Sequence, residues 1–257
     1  MDVLLSFDIE EFDYPRERGA DISVDDGVKV SAEGLEKILK ILKNTGVRAT
    51  FFVTGNFANR RPDLVKRMIR EGHEVAAHGV NHFAPQKADI EGAKKILEPI
   101  AGEAVVGWRQ PRMQKIDYQE LAKRGYKYDS STNPAFIPGR YNNLHMPRKP
   151  YCVGGSAKIL EIPTAVATIF RIPLFWLALH LFPFWLYNLL AKISLRETGK
   201  LAIYFHPWEF TNLTKFNVVP WYIRKNCDEK LVVRLEKLIN SLKKSGGKFI
   251  RYKDLLN

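Results

Sequence analysis

Apolar and polar positions along the chain fall into short blocks that repeat. Val3-Leu4-Leu5-Ser6-Phe7 is an apolar run that stops at the acids Asp8, Glu10, Glu11 and Asp13, which predicts a buried strand with carboxylates at its C-terminal end. Residues 14–30 are polar and rich in Asp and Gly, and read as a loop. Ser31 then caps a helix whose Leu35, Ile38, Leu39 and Leu42 keep helical spacing, with Gly46 to end it. The β-rich run Ala49-Thr50-Phe51-Phe52-Val53 follows, then a helix opened by Pro62 and closed by Gly72, then a strand over 74–78. Further helices are predicted over 88–98, 117–124 and 228–245, and extended segments over 104–108, 126–129, 159–162, 201–206 and 248–252. Residues 133–156, rich in Pro, Gly and Asn, read as a long functional loop. Strand–helix units repeated in this way predict an α/β protein on a parallel sheet or a (β/α) barrel.

One stretch departs from this rhythm. Residues 172–190, with Phe175, Trp176, Phe182, Phe184 and Trp185, nearly reach the ~20 apolar residues that a membrane span needs. Pro173, His180, Pro183 and Asn188 interrupt it, and strand-like sequence resumes beyond. These interruptions favour a buried core segment or an exposed apolar cap resting on a membrane over a true span.

Composition narrows the field. With 257 residues, 46% of them hydrophobic, the chain can bury the core of one large domain, and disorder is excluded as its main state. Two cysteines, Cys152 and Cys227, exclude a disulfide framework and a Cys-rich zinc module. Lys and Arg number 40 against 28 Asp and Glu, a formal net charge of +12. That charge is spread along the chain and no basic-aromatic binding motif accompanies it, so no nucleic acid is expected. A membrane surface with anionic lipid is the partner it suits better. The first residues lack the basic and apolar regions of a signal peptide, which leads us to expect a cytoplasmic protein, peripheral at the inner membrane face.

The candidate chemistry sits at strand ends. His78 and His82 lie four apart just after a predicted strand, where two imidazoles can address one cation, although structural histidines also occur at that spacing. The period of two puts Asp8 and Glu10 on one side of the first strand and Glu11 on the other. One carboxylate with two imidazoles is an open metal site, and a spare carboxylate beside it could take a proton from water. Arg109, at another strand end, could grip a carboxylate in two-pronged fashion or form a surface ion pair. His206 ends an apolar strand and precedes Pro207, a place suited to a general acid or to an ordinary half-buried histidine. Glu209 could contact substrate or cap its loop.

Taken together and in chain order, these segments resemble the polysaccharide deacetylases of carbohydrate esterase family 4. Ser6-Phe7-Asp8-Ile9-Glu10 is similar to the family's first motif and His78-Gly-Val-Asn-His82 to its metal-binding pair. Arg109-Gln110-Pro111 is similar to the third, Tyr128-Asp129-Ser130-Ser131 to the fourth, and Leu201 to His206 to the last. The resemblance implies an irregular (β/α)7 barrel over residues 1–257, with an apolar cap or insertion at about 165–195. It implies Asp8 as catalytic base, His206 as catalytic acid, Arg109 as the residue that orients the base, and Glu10, His78 and His82 as metal ligands. The ion would be one divalent metal, zinc first, with cobalt, nickel, manganese and iron compatible with the same ligands. Pro111, Arg112 and Asp129 would support or contact substrate, with a backbone N–H near Arg112 at the oxyanion.

Three departures bear on that transfer. Asp-Ile-Glu-Glu replaces adjacent aspartates, which resembles the Asp-x-Glu branch; Glu10 or Glu11 could then be the ligand, and alternation favours Glu10. Thr132 replaces the fourth motif's second acid, leaving Asp129 and Glu161 as candidate partners of His206. Arg112-Met113 replaces an aromatic-glycine pair and would reshape the groove. The implied reaction is removal of an N-acetyl group from an amino sugar of a glycan or lipid-linked precursor. The alternatives are hydrolysis of another C–N bond, as in a deformylase of a formamido sugar or an amidase, and a non-catalytic glycan- or membrane-binding protein.

Overall fold

The computed structural model describes residues 1–155, 158–168 and 170–256. Ser156, at the end of the expected long loop, and Ile169, within the apolar segment, lie outside the described residues. Strand β1 (Asp2–Ile9) is central, flanked by β2 (Thr50–Val53) and β10 (Lys200–Phe205). Outward from β2 come β3 (Glu74–Ala77), β4 (Gly107–Trp108), β5 (Tyr128–Asp129) and β9 (Ile159–Glu161). These seven strands run parallel, as the (β/α)7 expectation requires. β8 (Tyr151–Val153) adds an antiparallel edge to β9, and β11 (Lys248–Phe249) pairs with the start of β1. The sheet curls into a half-barrel and its ladder stays open between β9 and β10. Pro163, just past β9, has no N–H to continue pairing, and a single bond from Ala165 N to Ala202 O (2.7 Å) bridges the gap.

Alternation along β1 sorts its side chains. Val3, Leu5, Phe7 and Ile9 join the core beneath the helices, whereas Leu4 joins the interior cluster with Phe52, Ala76, Tyr128, Ala202 and Tyr252. Ser6 and Asp8 share the interior side, where both accept from Arg109. Glu10 follows in the same phase at the open top.

The helices confirm most expected segments and correct one. α3 (Gly55–Arg60), α4 (Pro62–Arg70), α5 (Asp89–Ala101), α6 (Tyr118–Lys123) and α10 (Glu229–Lys244) cover the strands. Residues 14–30 are not a loop: they hold α1 (Tyr14–Glu17) and the start of α2 (Val24–Thr45), whose N-cap is Ser23 rather than Ser31. Ser23 accepts from Asp26 N at 3.0 Å. The Asp and Gly that resembled loop residues have helical roles. Asp25 and Asp26 occupy the first turn, where carboxylates suit the helix dipole. At Gly34 a Cβ would lie 1.8 Å from the Pro207 carbonyl oxygen, so only glycine lets α2 press against the turn after β10.

Residues 133–156 contain the small hairpin β6 (Phe136–Ile137) and β7 (Tyr141–Asn142) as well as β8. The apolar stretch folds as two helices, α7 (Trp176–Leu181) and α8 (Phe184–Thr198), broken at Phe182-Pro183. Among the described residues no helix is long and apolar enough to cross a membrane. A short helix α9 (Trp221–Arg224) packs beside α7.

Candidate functional site

Asp8, Glu10, His78, His82 and His206 all reach one cavity of about 420 Å³ at the C-terminal end of the sheet, whereas Arg109, Glu11 and Asp129 do not line it. Asp8 and Glu10 enter from β1, His78 and His82 from the turn after β3, and His206 from the end of β10. That turn is held by Gly79 (φ +72°), where a Cβ would meet the Pro111 ring at 3.0 Å. Pro111 therefore supports the histidine turn from outside the cavity.

On one wall, Glu10 Oε2 lies 3.4 Å from His78 Nε2 and 3.0 Å from His82 Nε2. The far nitrogens are occupied: His78 Nδ1 donates to the Arg109 carbonyl at 2.9 Å, and His82 Nδ1 meets Asp13 Oδ2 at 2.8 Å. Both Nε2 atoms are thereby turned on Glu10, the arrangement of an imidazole ligand fixed by an outer partner. Glu10 Oε1 accepts from Trp208 Nε1 at 3.1 Å, while buried Oε2 has no hydrogen-bond partner among the described residues. An orphaned carboxylate oxygen facing two imidazole lone pairs fits a divalent cation with room for water. Burial alone would raise the Glu10 pKa, but His82, His206 and His78 hold it well below the carboxylate range. Burial alone would lower His82, yet Glu10 and Asp13 push it up to about 9. Glu11 is not a ligand. It accepts from Thr54 Oγ1 (2.9 Å), Asn56 Nδ2 (3.0 Å) and the His82 N–H (3.2 Å), and so shapes the ligand turn.

Arg109 is wholly buried and does not grip Asp8 with two prongs. Nη1 donates to Asp8 Oδ1 at 2.6 Å and Ser6 Oγ at 3.0 Å. Nη2 goes to Ser130 Oγ and Tyr252 OH, and Nε to the Ser130 carbonyl. Its fork is spent on the barrel interior, and Asp8 is left with Oδ2 toward the cavity, 4.0 Å from His78 Nε2 and 3.9 Å from His206 Nε2.

The partner of His206 is neither Asp129 nor Glu161. Among the described residues no hydrogen bond or ion pair joins either to His206. Asp129 accepts from Ser131 Oγ at 2.7 Å; burial first, then Glu161, pushes its carboxyl well above the usual range. Asp129 is fully buried and does not line the cavity. His206 instead pairs with Glu209, Nδ1 to Oε1 at 2.8 Å, and Glu209 Oε2 meets His180 Nε2 of α7 at 2.6 Å. Its ring stacks on Trp208 at 4.9 Å, with Trp176 edge-on at 5.4 Å. Sequence reasoning missed Asp13, Trp208 and His180; the acid run after β1 was the one signal for Asp13. Arg112 lines the cavity in the left-handed region (φ 59°), its Nη2 held by Glu17 at 2.6 Å.

Comparison with known proteins follows the same outline. Residues 14–128 match the polysaccharide deacetylase family, and residues 130–255 match a domain of unknown function, DUF3473. Residues 14–128 are thus similar to a polysaccharide deacetylase domain. A peptidoglycan deacetylase of Helicobacter pylori is 30% identical over 125 residues, 44% of this chain and 43% of that relative. A chitooligosaccharide deacetylase of Sinorhizobium fredii is 48% identical over 65 residues, 24% of this chain and 29% of that one. In each, the match spans less than half of the relative's length. A solved structure of a polysaccharide deacetylase from Mycobacterium smegmatis, described as putative in its title, superposes with a TM-score of 0.67 at 19% identity, covering 99% of this chain and 88% of that one. The deacetylase match thus holds the two histidines and Arg109, whereas His206, Glu209 and His180 fall in the DUF3473 stretch.

Proposed function

We propose that this chain is a polysaccharide deacetylase, a metal-dependent hydrolase that removes an N-acyl group, acetyl first, from an amino sugar of a glycan precursor. The observation that carries this reading is the convergence of a Glu10–His78–His82 ligand set, the Asp8 carboxylate and the His206 imidazole on one cavity. A divalent ion on that set would lower the pKa of water and polarise the amide carbonyl. Asp8, fixed by Arg109, is placed to accept the proton of the attacking water through Oδ2. His206 Nε2, opening on the same space, is placed to protonate the departing amine. Trp176, Trp208, Tyr141 and Tyr204 supply flat apolar walls for a sugar ring, and the N–H groups around Arg112 border the cavity.

Substrate charge is suggested by the rim. Arg18 and Arg112 lie there with Arg140, whose guanidinium has no side-chain partner among the described residues. An anionic, lipid-linked sugar phosphate suits that rim. A membrane-facing surface is supported by α8, which exposes Trp185 (65%), Leu189 and Ile193 at i, i+4 and i+8, with the basic Lys192 and Arg196 beside them. Trp176, by contrast, serves the cavity. Sedimentation with anionic vesicles at low salt checks this contact, and Trp185→Ser should weaken it.

The enzymatic reading is tested by elemental analysis with acetate and formate release from amidated sugars. One metal ion per chain and metal-dependent acetate release are expected. Asp8→Asn should keep the metal and lose about 10²–10⁴-fold in turnover. Formate release alone would favour the deformylase alternative, and full activity in Asp8→Asn would remove Asp8 as base.

A further inference from the structure

Glu209 is fully buried between two histidines that come from different parts of the fold. Its Oε1 accepts from the His206 backbone N–H at 2.5 Å and from Nδ1 at 2.8 Å, so one oxygen fixes both the turn and the ring. Its Oε2 meets Nε2 of His180, which is also fully buried, at 2.6 Å. His180 Nδ1 faces the Lys225 carbonyl at 2.9 Å. A carbonyl and a carboxylate only accept, so these contacts call for a donor at each ring nitrogen of His180, and Cys227 Sγ also lies 3.7 Å from Nδ1. Burial would raise the Glu209 pKa, but His180 and His206 hold it down and keep it ionised. Neither Glu209 nor His180 reaches solvent.

We infer that Glu209, backed by His180, is a positioning relay that turns the His206 Nδ1–H inward and leaves Nε2 alone to deliver a proton in the cavity. The relay deepens the reading of His206 as the acid and rests on it. Other charged groups facing His206 are Asp8 and Glu10 of β1. Glu209 favours the protonated ring through one direct contact, and His180 opposes it from behind the carboxylate. Removing the two should therefore move His206 in opposite directions, which a purely structural contact would not do.

The test is ¹⁵N-histidine NMR of the whole protein, metal-free and zinc-loaded, with the six histidines resolved by single substitutions. Neutral His206 should carry its proton on Nδ1. In Glu209→Gln its titration midpoint should fall by about one pH unit or more, and in His180→Gln it should rise. With chitooligosaccharide as probe, Glu209→Gln should lower kcat about tenfold or more with KM little changed, and move the alkaline limb of the pH profile to lower pH. His206 titrating alike in all three proteins, or carrying its proton on Nε2, overturns the relay. Should Glu209→Gln not fold, the His180→Gln shift decides it. Wild-type protein that releases no acetate overturns the deacetylase reading instead, and the ring titration still decides the relay.

Discussion

The metal wall and the acid wall of the cavity face each other but are assembled differently. On the metal wall, Glu10 follows β1 while His78 and His82 follow β3, one strand beyond β2, and their supports are local: Asp13, the Arg109 carbonyl and a turn fixed by Glu11. On the acid wall only His206 is a strand-end residue. Its carboxylate sits one turn further on, and the histidine behind that carboxylate comes from α7, in the apolar insertion. The difference teaches that strand ends alone bring Glu10, His78 and His82 together, whereas the surroundings of His206 depend on the packing of a helix, α7, outside the sheet.

The largest effect expected concerns what the two walls share. Arg109 lies beneath both and neutralises Asp8 at 2.6 Å in full burial. Arg109→Met leaves that carboxylate unpaired and should cost about 3–5 kcal/mol, read as a lower urea midpoint. A loss under 1 kcal/mol would mean that water compensates Asp8 and that the walls do not depend on a common base.

A histidine outside both walls sharpens the contrast. His73, preceding β3, is buried, accepts from Ala49 N at Nδ1, and is pulled down to about 4, chiefly by burial, with Glu71 opposing weakly. His206 is as buried, yet Glu10, Glu209 and Asp8 overcome burial and raise it. Because the folded pKa of His73 lies below the ordinary value near 6.5, the unfolded chain binds the extra proton. Stability is then full above about pH 6.5 and falls toward pH 4, by about 3 kcal/mol at 1.36 kcal/mol per unit. Urea unfolding between these pH values should show that slope, and His73→Gln should flatten it.

A smaller effect tests the local support of the metal wall. Asp13→Asn should weaken metal binding by about 10- to 100-fold without touching a ligand. Competition with a chelator reads this directly, and unchanged affinity would show that Asp13 does not orient His82.

The same division explains what could be read from the sequence. Asp8, Glu10, His78, His82 and His206 were legible because parallel strands present chemistry at their C-terminal ends, and the period of two separated Glu10 from Glu11. The parallel sheet was legible from repeated strand–helix units, its seven strands only from the family resemblance, and the break in the apolar segment from Pro183. The α2 start was not, because Gly34 answers to the Pro207 backbone, a contact that local propensity does not carry. The acid partner was not, because His180 and Glu209 meet only through the packing of α7. Asp129 and Glu161, equally acidic, instead pair with each other across β5 and β9, away from His206.

The division of labour between the walls is tested most directly by the zinc content of His206→Ala, measured against wild type and His82→Ala. The account predicts one zinc per chain in wild type and in His206→Ala, and loss of it in His82→Ala. Loss of zinc from His206→Ala, or retention in His82→Ala, would contradict it.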